Sequence, residues 1–384
     1  MRMTELCSGR RAWRLTTVLI GALLLASTSG RFAVVSGFAN ALSTEDRGGH
    51  DDDRRGHDDG RLPEGTVWVV NRDLGELTIF DARSGKVVKS LPVGAGAHDI
   101  CISERAGKAY VTAETINTVT AVDMRTLATE SIPVAPLPHH IEPSPDGRTI
   151  YVTLASHTAT AGLPQYAAID TDDNAVTYVT TSDNPLARSH GPSPSLDGDT
   201  LFVAHDIGDE VTGVDTETGD IDPSITPIVR AEEVTPTRFG HLLWASSRGD
   251  GTVKRIDLET NTITASVPVG VQPESVMLTP SERTLVVSLR GSPAVVGFVD
   301  TVKLALRGTL QIGGPGTFGD LGVITSNGRH VFATFDAGIS GVGGVAVIDV
   351  RTRKVVDTWV YPGTGRPHGL WHSKKKLRLD RQKR

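Results

Sequence analysis

Cysteine, methionine and aromatic side chains are all scarce in this chain: two, four and 5% of 384 residues. Cys7 falls in an N-terminal segment with the marks of a leader, which leaves Cys101 alone, and a single thiol forms no intramolecular disulfide. A fold stapled by disulfides is therefore excluded, and so is a C-x-x-C thiol-redox site. The chain also lacks a P-loop, an H-E-x-x-H zinc motif, a G-x-S-x-G elbow and a haem-attachment motif. Basic residues do not dominate. The 39 Lys and Arg against 45 Asp and Glu leave a formal charge of -6, the wrong sign for a dedicated nucleic-acid binder. What is plentiful is glycine, 41 residues, with 21 prolines, and that balance favours a turn-rich β protein over a helical one.

The N-terminus stands apart from the fold. Arg10, Arg11 and Arg14 precede the apolar run LTTVLIGALLLA (15–26), and a small-residue site follows at Ala39-Asn40-Ala41. This order predicts a signal peptide over residues 1–41 and an extracytoplasmic destination: secreted, periplasmic or cell-surface. The Arg10-Arg11 pair admits twin-arginine export beside ordinary secretion or an uncleaved anchor, and the residues do not choose among them. Residues 42–64, with GGHDDDRRGHDDGR, are charged and aperiodic and read as a disordered linker; His50 and His57 would there be weak metal scavengers at most. The run KKKLRLDRQKR at 374–384 reads as a solvated basic tail.

Between them, residues 65–373 repeat. A unit of roughly 40–50 residues recurs, and its first marker is a short β run with an aromatic near its start: VWVVN (67–71), AYVTA (109–113), IYVTL (150–154), LFVAH (201–205), LWASS (243–247) and VFATF (331–335), with LVVSL (285–289) lacking the aromatic. A strand ending in aspartate follows each, at Asp81, Asp123, Asp170, Asp215, Asp257, Asp300 and Asp349, and then a hairpin turn such as LETN or TETG. Four short antiparallel strands per unit make one propeller blade. The repeat is permuted: it opens at Gly65 with the second strand of a blade, and GLWHS (369–373) holds the place of a first strand. The expected fold is all-β, a seven-bladed β-propeller of four-stranded blades, closed by the C-terminal strand pairing with the N-terminal blade.

The segments VPVGVQPESVMLTPSER, SPDGRTIYVT and NTVTAVDMRT resemble the repeat of the YVTN family of seven-bladed propellers, and the resemblance spans residues 65–373. It implies the fold and leaves function open, because exported surface, binding and other proteins share that repeat. In the family repeat, a P-x-G segment with variable x precedes each innermost strand. Aligning the copies without gaps on Ser103, Ser144, Ser195, Thr237, Thr279, Thr325 and Ser373 puts x at His98, His139, His190, Glu232, Glu274, Asp320 and His368. Innermost strands line a propeller's channel, so equivalent positions form one ring. Four of the chain's 12 histidines fall on it, on consecutive blades.

Imidazole suits Cu, Fe, Zn and Ni, so His98, His139, His190 and His368 are expected to hold one transition metal, copper first and then iron or zinc. Glu232, Glu274 and Asp320 are the candidate catalytic proton acceptors. Asp99, His140 and Glu233, each one residue past x, are expected to support the ligands. The loops after the aromatic strands bring Arg72, Glu114, His205, Asp206, Arg248, Arg290 and Asp336 to the same face, with Arg72, Arg248 and Arg290 as candidate substrate contacts. The insertion ASHTATAGLPQ (155–165), with His157, would wall the site. In ligand arrangement alone the ring resembles the histidine-rich propeller sites of carotenoid oxygenases, nitrous-oxide reductase and methanethiol oxidase. Two functions follow: a metal-dependent oxidoreductase acting on a small molecule, or a non-catalytic platform for a protein or polymer partner. A monomer is expected in either case, with no nucleic-acid partner and no membrane contact beyond the export signal.

Overall fold

The computed structural model describes residues 62–155, 162–336, 343–361 and 365–377. Residues 1–61, 156–161 with His157, 337–342, 362–364 and 378–384 lie outside the described residues. Among the described residues twenty-seven strands form seven antiparallel sheets, the blades of a β-propeller. Among the described residues no helix is long and apolar enough to cross a membrane. The ring closes as the permuted repeat requires: Pro367–Ser373 pairs with Thr66–Asn71 inside a sheet completed by Glu76–Asp81 and Val87–Pro92.

The aromatic-led runs are second strands, buried along their length because both faces are covered. Successive side chains on a strand point to opposite faces. Thus Trp68 and Val70 join a core with Ile100 and Val111 of the next blade, while Val67 and Val69 join Phe332 and Val347 of the preceding one. Each such side chain contributes roughly 1.5–3 kcal/mol when fully buried. The aspartate markers close the hairpins that follow. Their carboxylates accept the backbone N–H of Ser84, Thr126, Thr218, Thr260 and Thr352 at 2.6–2.9 Å. The Ser/Thr used to align the repeat brace the turn after the innermost strand; the Ser195 hydroxyl, for example, accepts the Thr200 N–H at 3.0 Å.

One blade departs from the pattern. The sheet holding Arg188–Pro194, Thr200–Ile207 and Glu210–Asp215 has three strands, and the fourth is reduced to isolated bridges Val211↔Ile225 and Val214↔Ile221. Its sequence there, DIDPSITPIV, carries Pro223 and Pro227, and proline gives a ladder no N–H donor.

All seven innermost strands share a second feature. Between Pro138↔Leu154 and Ile141↔Val152, three steps on the inner strand face two on its neighbour, so His139 and His140 together stand opposite Thr153. The same bulge falls at His98-Asp99, His190-Gly191, Glu232-Glu233, Glu274-Ser275, Asp320-Leu321 and His368-Gly369. A bulge interrupts strict alternation and re-aims side chains, which is how two consecutive residues are both delivered to the channel.

Candidate metal centre

The bulges are held by the threonine of the YVT runs. Thr112 accepts the Asp99 N–H at 3.0 Å and donates to the His139 carbonyl of the next blade at 2.7 Å. Thr153 accepts the His140 N–H at 3.2 Å and donates to the His190 carbonyl. Ser288 and Thr334 clamp the carbonyls of Asp320 and His368 in the same way. The blade carrying LFVAH has Ala204 instead, with no hydroxyl to offer the next carbonyl, Glu232. His190 fills that role, donating from Nδ1 to the Glu232 carbonyl at 2.8 Å.

This one exchange separates His190 from the other histidines. With Nδ1 on the Glu232 carbonyl and Nε2 2.8 Å from Glu232 Oε2, both of its nitrogens are engaged. Burial opposes charge on this ring, but the Glu232 carboxylate outweighs it and pushes the pKa up to about 9. Burial likewise pushes the Glu232 carboxyl up, and His190 and Arg248 overcome it, holding the group down at about 2. His190, Asp206 and Glu232 do bring ligand atoms within 4.8 Å of one another. Cations already sit there: Arg188 grips Asp206 through two nitrogens, and Arg248 lies 2.8 Å from Glu232.

His98, His139 and His140 form the other group whose ligand atoms lie within 4.8 Å, and such a group can hold a metal ion. Ring centroids are 4.0 Å apart for His98–His139 and His98–His368, and 4.6 Å for His139–His140. His139 Nδ1 lies 2.6 Å from Glu114 Oε1, and His140 Nδ1 lies 2.9 Å from Asp99 Oδ2. A carboxylate accepts, so each Nδ1 carries the hydrogen and each Nε2 keeps its lone pair, the arrangement a metal-ligating histidine needs. His98 Nδ1 is buried without a partner. Burial, followed by the neighbouring imidazoles, holds the pKa of His98 and His139 well below the usual histidine range, and burial does the same for His368. These rings are neutral, the form that binds a metal. Zinc, copper and iron all accept such donors.

The three carboxylates of the ring stand differently. Arg248 bridges Glu232 at 2.8 Å and Glu274 at 3.1 Å, and Arg290 spans Glu274 at 3.5 Å and Asp320 at 3.4 Å. Asp320 Oδ2 then reaches His368 Nε2 at 3.3 Å. Burial raises the Asp320 carboxyl to about 7, against the pull of Arg290, so it sits near neutrality while Glu232 is firmly ionised. The expected substrate arginines are thus all in ion pairs, Arg72 with Glu114 at 2.6 Å. Glu233 turns down the channel with Asp99 and His140, where burial and the charge of Asp99 raise its carboxyl well above the usual range.

Sequence reasoning named Glu114 only as a loop residue, and it proves to orient His139. The signal was available: Glu114 holds the same loop position as Arg248 and Arg290, which pair with the ring's carboxylates. His140 was assigned a supporting place, but its ring stands 4.5–5.1 Å from those of His98, His139 and His190.

No protein-family model matches the sequence, and no curated protein matches it. Solved structures share the fold. A functionally unknown protein from Desulfotomaculum acetoxidans DSM 771 gives a TM-score of 0.64 at 13% identity, over 82% of this chain and 100% of that one. The periplasmic gluconolactonase PpgL of Pseudomonas aeruginosa gives 0.61 at 17% identity, over 80% and 98%. Dihydro-heme d1 dehydrogenase NirN, solved in complex with DHE, gives 0.57 at 15% identity, over 81% and 76%. At such identities the likeness establishes the propeller and leaves the chemistry to the site.

Proposed function

We propose that this chain is a metal-dependent oxidoreductase acting on a small molecule, with one transition-metal ion held by His98, His139, His140 and His368. Copper is the first choice, then iron or zinc. The observation that carries the reading is a set of buried or half-buried imidazoles with free nitrogens, converging from consecutive blades and backed by Glu114 and Asp99. A copper or iron ion there supplies a one-electron redox couple and a Lewis acid. The chain's own residues do the rest. Glu114 and Asp99 fix ring orientation, the arginine–carboxylate belt keeps the loop-side mouth rigid, and Asp320 beside His368 holds or releases a proton at its Oδ2. His190, charged and tied to Glu232, sets the edge of the site. We place the protein outside the cytoplasm on the leader-like residues 1–41, a location that the description of PpgL as periplasmic also fits.

Elemental analysis of protein purified without chelator tests this. About one equivalent of metal is expected, falling at least tenfold in a His98→Ala/His139→Ala variant, with a redox wave that disappears alongside it. Sub-stoichiometric metal that the double variant leaves unchanged sinks the reading; bound metal with no redox wave sinks the oxidoreductase part alone.

A second reading has one observation of its own. Leu74, Ile116, Leu137, Leu186 and Val271 are 42–73% exposed, and all lie on loops of the ring-mouth face. Exposed apolar side chains on one face mark interaction surfaces. A platform for a protein partner would keep binding after the histidines are removed and lose it when Leu186 and Val271 become Ser.

A further inference from the structure

Below the histidines, the channel does not end. A cavity of about 230 Å³ is lined by Asp99, His140, Glu142, Glu233, Met277 and Trp371, directly beneath the ring. A second cavity of about 420 Å³ lies at the opposite mouth, with Glu104, Glu142, Asp146 and Trp371 among its walls. The two share Glu142, Ser193, Thr235 and Trp371, so they abut across one layer of side chains. Those four residues all stand three places after x on their strands, which makes them a ring of their own and a waist in the channel.

The two approaches to the imidazoles differ in the groups that line them. On the loop side a cation meets Arg72, Arg248 and Arg290, which cross the mouth and leave the ring carboxylates 0–2% exposed. From below it meets carboxyl groups: no lysine or arginine lines the upper cavity. At the lower mouth Arg105 is bound to Asp172 at 2.9 Å and Lys375 to Glu104 at 2.6 Å. Carboxyl oxygens offer a passing cation ligands, whereas guanidiniums repel it.

We propose that the lower channel is the route by which the metal cation reaches the histidines. It is taken up at the face opposite the loops, passes the Glu142–Trp371 waist, and arrives at His140 between Asp99 and Glu233. His140 lines the upper cavity and, through its ring contacts, belongs to the imidazole cluster above, so it is the point of transfer. The proposal rests on the metal-binding reading of the cluster and adds a direction to it.

Rapid mixing of the metal-free full-length protein with Cu(II), followed by quenching of tryptophan fluorescence, measures the rate. Glu142→Gln keeps the shape of the waist and removes its acid group, and uptake about tenfold slower is expected. Thr235→Trp fills the waist and slows uptake at least as much; Trp371→Ala widens it and speeds uptake, with the remaining tryptophans reporting. In each variant the final copper content equals that of the wild type. Wild-type rates in both Glu142→Gln and Thr235→Trp overturn the route, as does lower final copper in Glu142→Gln, which would make Glu142 a ligand. A wild type that takes up no copper overturns the underlying metal site instead, so the two failures are distinct. If Thr235→Trp does not fold, the opposite-signed changes in Glu142→Gln and Trp371→Ala still decide the matter.

Discussion

From Glu232 to Asp320 the channel mouth is a chain of carboxylates and guanidiniums, whereas from His368 through His98 to His139 it is bare imidazole. Both arcs stand on the same bulge at the same strand position, and both are buried but for the half-buried His139. They handle burial in different ways. The acidic arc gives each carboxyl a guanidinium partner: Arg248 for Glu232 and Glu274, Arg290 for Glu274 and Asp320. The imidazole arc gives up its charge, and burial holds His98, His139 and His368 neutral. A buried ion pair is a closed account of electrostatics, while neutral rings with free nitrogens are an open one. The comparison therefore teaches where a cation belongs.

The largest effect should come from breaking the closed arc. Arg248→Met leaves Glu232 and Glu274 buried beside one another with one guanidinium fewer, and removing one partner of a buried pair costs about 3–5 kcal/mol. Denaturant titration should show the midpoint falling with its slope unchanged. His98→Gln, close in volume, removes no ion pair and should cost less than about 1.5 kcal/mol without metal. Equal losses in the two variants would break the distinction between the arcs.

Metal should sharpen the distinction next. Copper at about 100 times its dissociation constant stabilises a protein that binds it only when folded by about 2.7 kcal/mol. We expect a rise of that order for the wild type, and no rise for His98→Ala/His139→Ala, by thermal unfolding with and without chelator. Glu114→Gln keeps the shape beside His139 but weakens its hold, and loss of such a partner reduces metal affinity about 10–100-fold. Isothermal titration should show that loss; stability without metal falls too, because Arg72 loses its partner, but by less than in Arg248→Met, since Arg72 is half-exposed. An unchanged affinity would remove Glu114 from the site.

Much of this was legible in the sequence. Aspartates closing hairpins, aromatics in second strands and Ser/Thr after the inner strands are local features, and each marks its blade wherever the chain runs. The ring followed because those markers align without gaps. The pairings did not follow. Whether His190 is a free imidazole or an imidazolium depends on the Glu232 carboxylate brought against it once the blades are in place, and its Nδ1 is taken up by the Glu232 carbonyl where Ala204 on another strand offers no hydroxyl. The bulge that brings His140 level with His139 is likewise a matter of register between strands, and a one-residue register difference is invisible to composition or spacing. The three-stranded blade was readable in principle from Pro223 and Pro227, although the repeat count alone predicts four.

The smallest expected effect tests the clamp that divides the histidines. Thr153→Val is nearly isosteric, yet it leaves the His140 N–H and the His190 carbonyl without their hydroxyl partner. A buried polar group left so costs about 1–2 kcal/mol. Val70 and Ala204 show that the fold tolerates the absence, but at Ala204 a histidine replaces the hydroxyl, so the tolerance has a structural cause. Ala204→Ser should supply the Glu232 carbonyl with a second donor and release His190 Nδ1, with stability changing by less than about 1 kcal/mol. Nitrogen chemical shifts of His190 would report the release. If they do not move while Thr153→Val costs the expected amount, the hydroxyl clamp holds bulges but does not decide which histidine is left to bind metal.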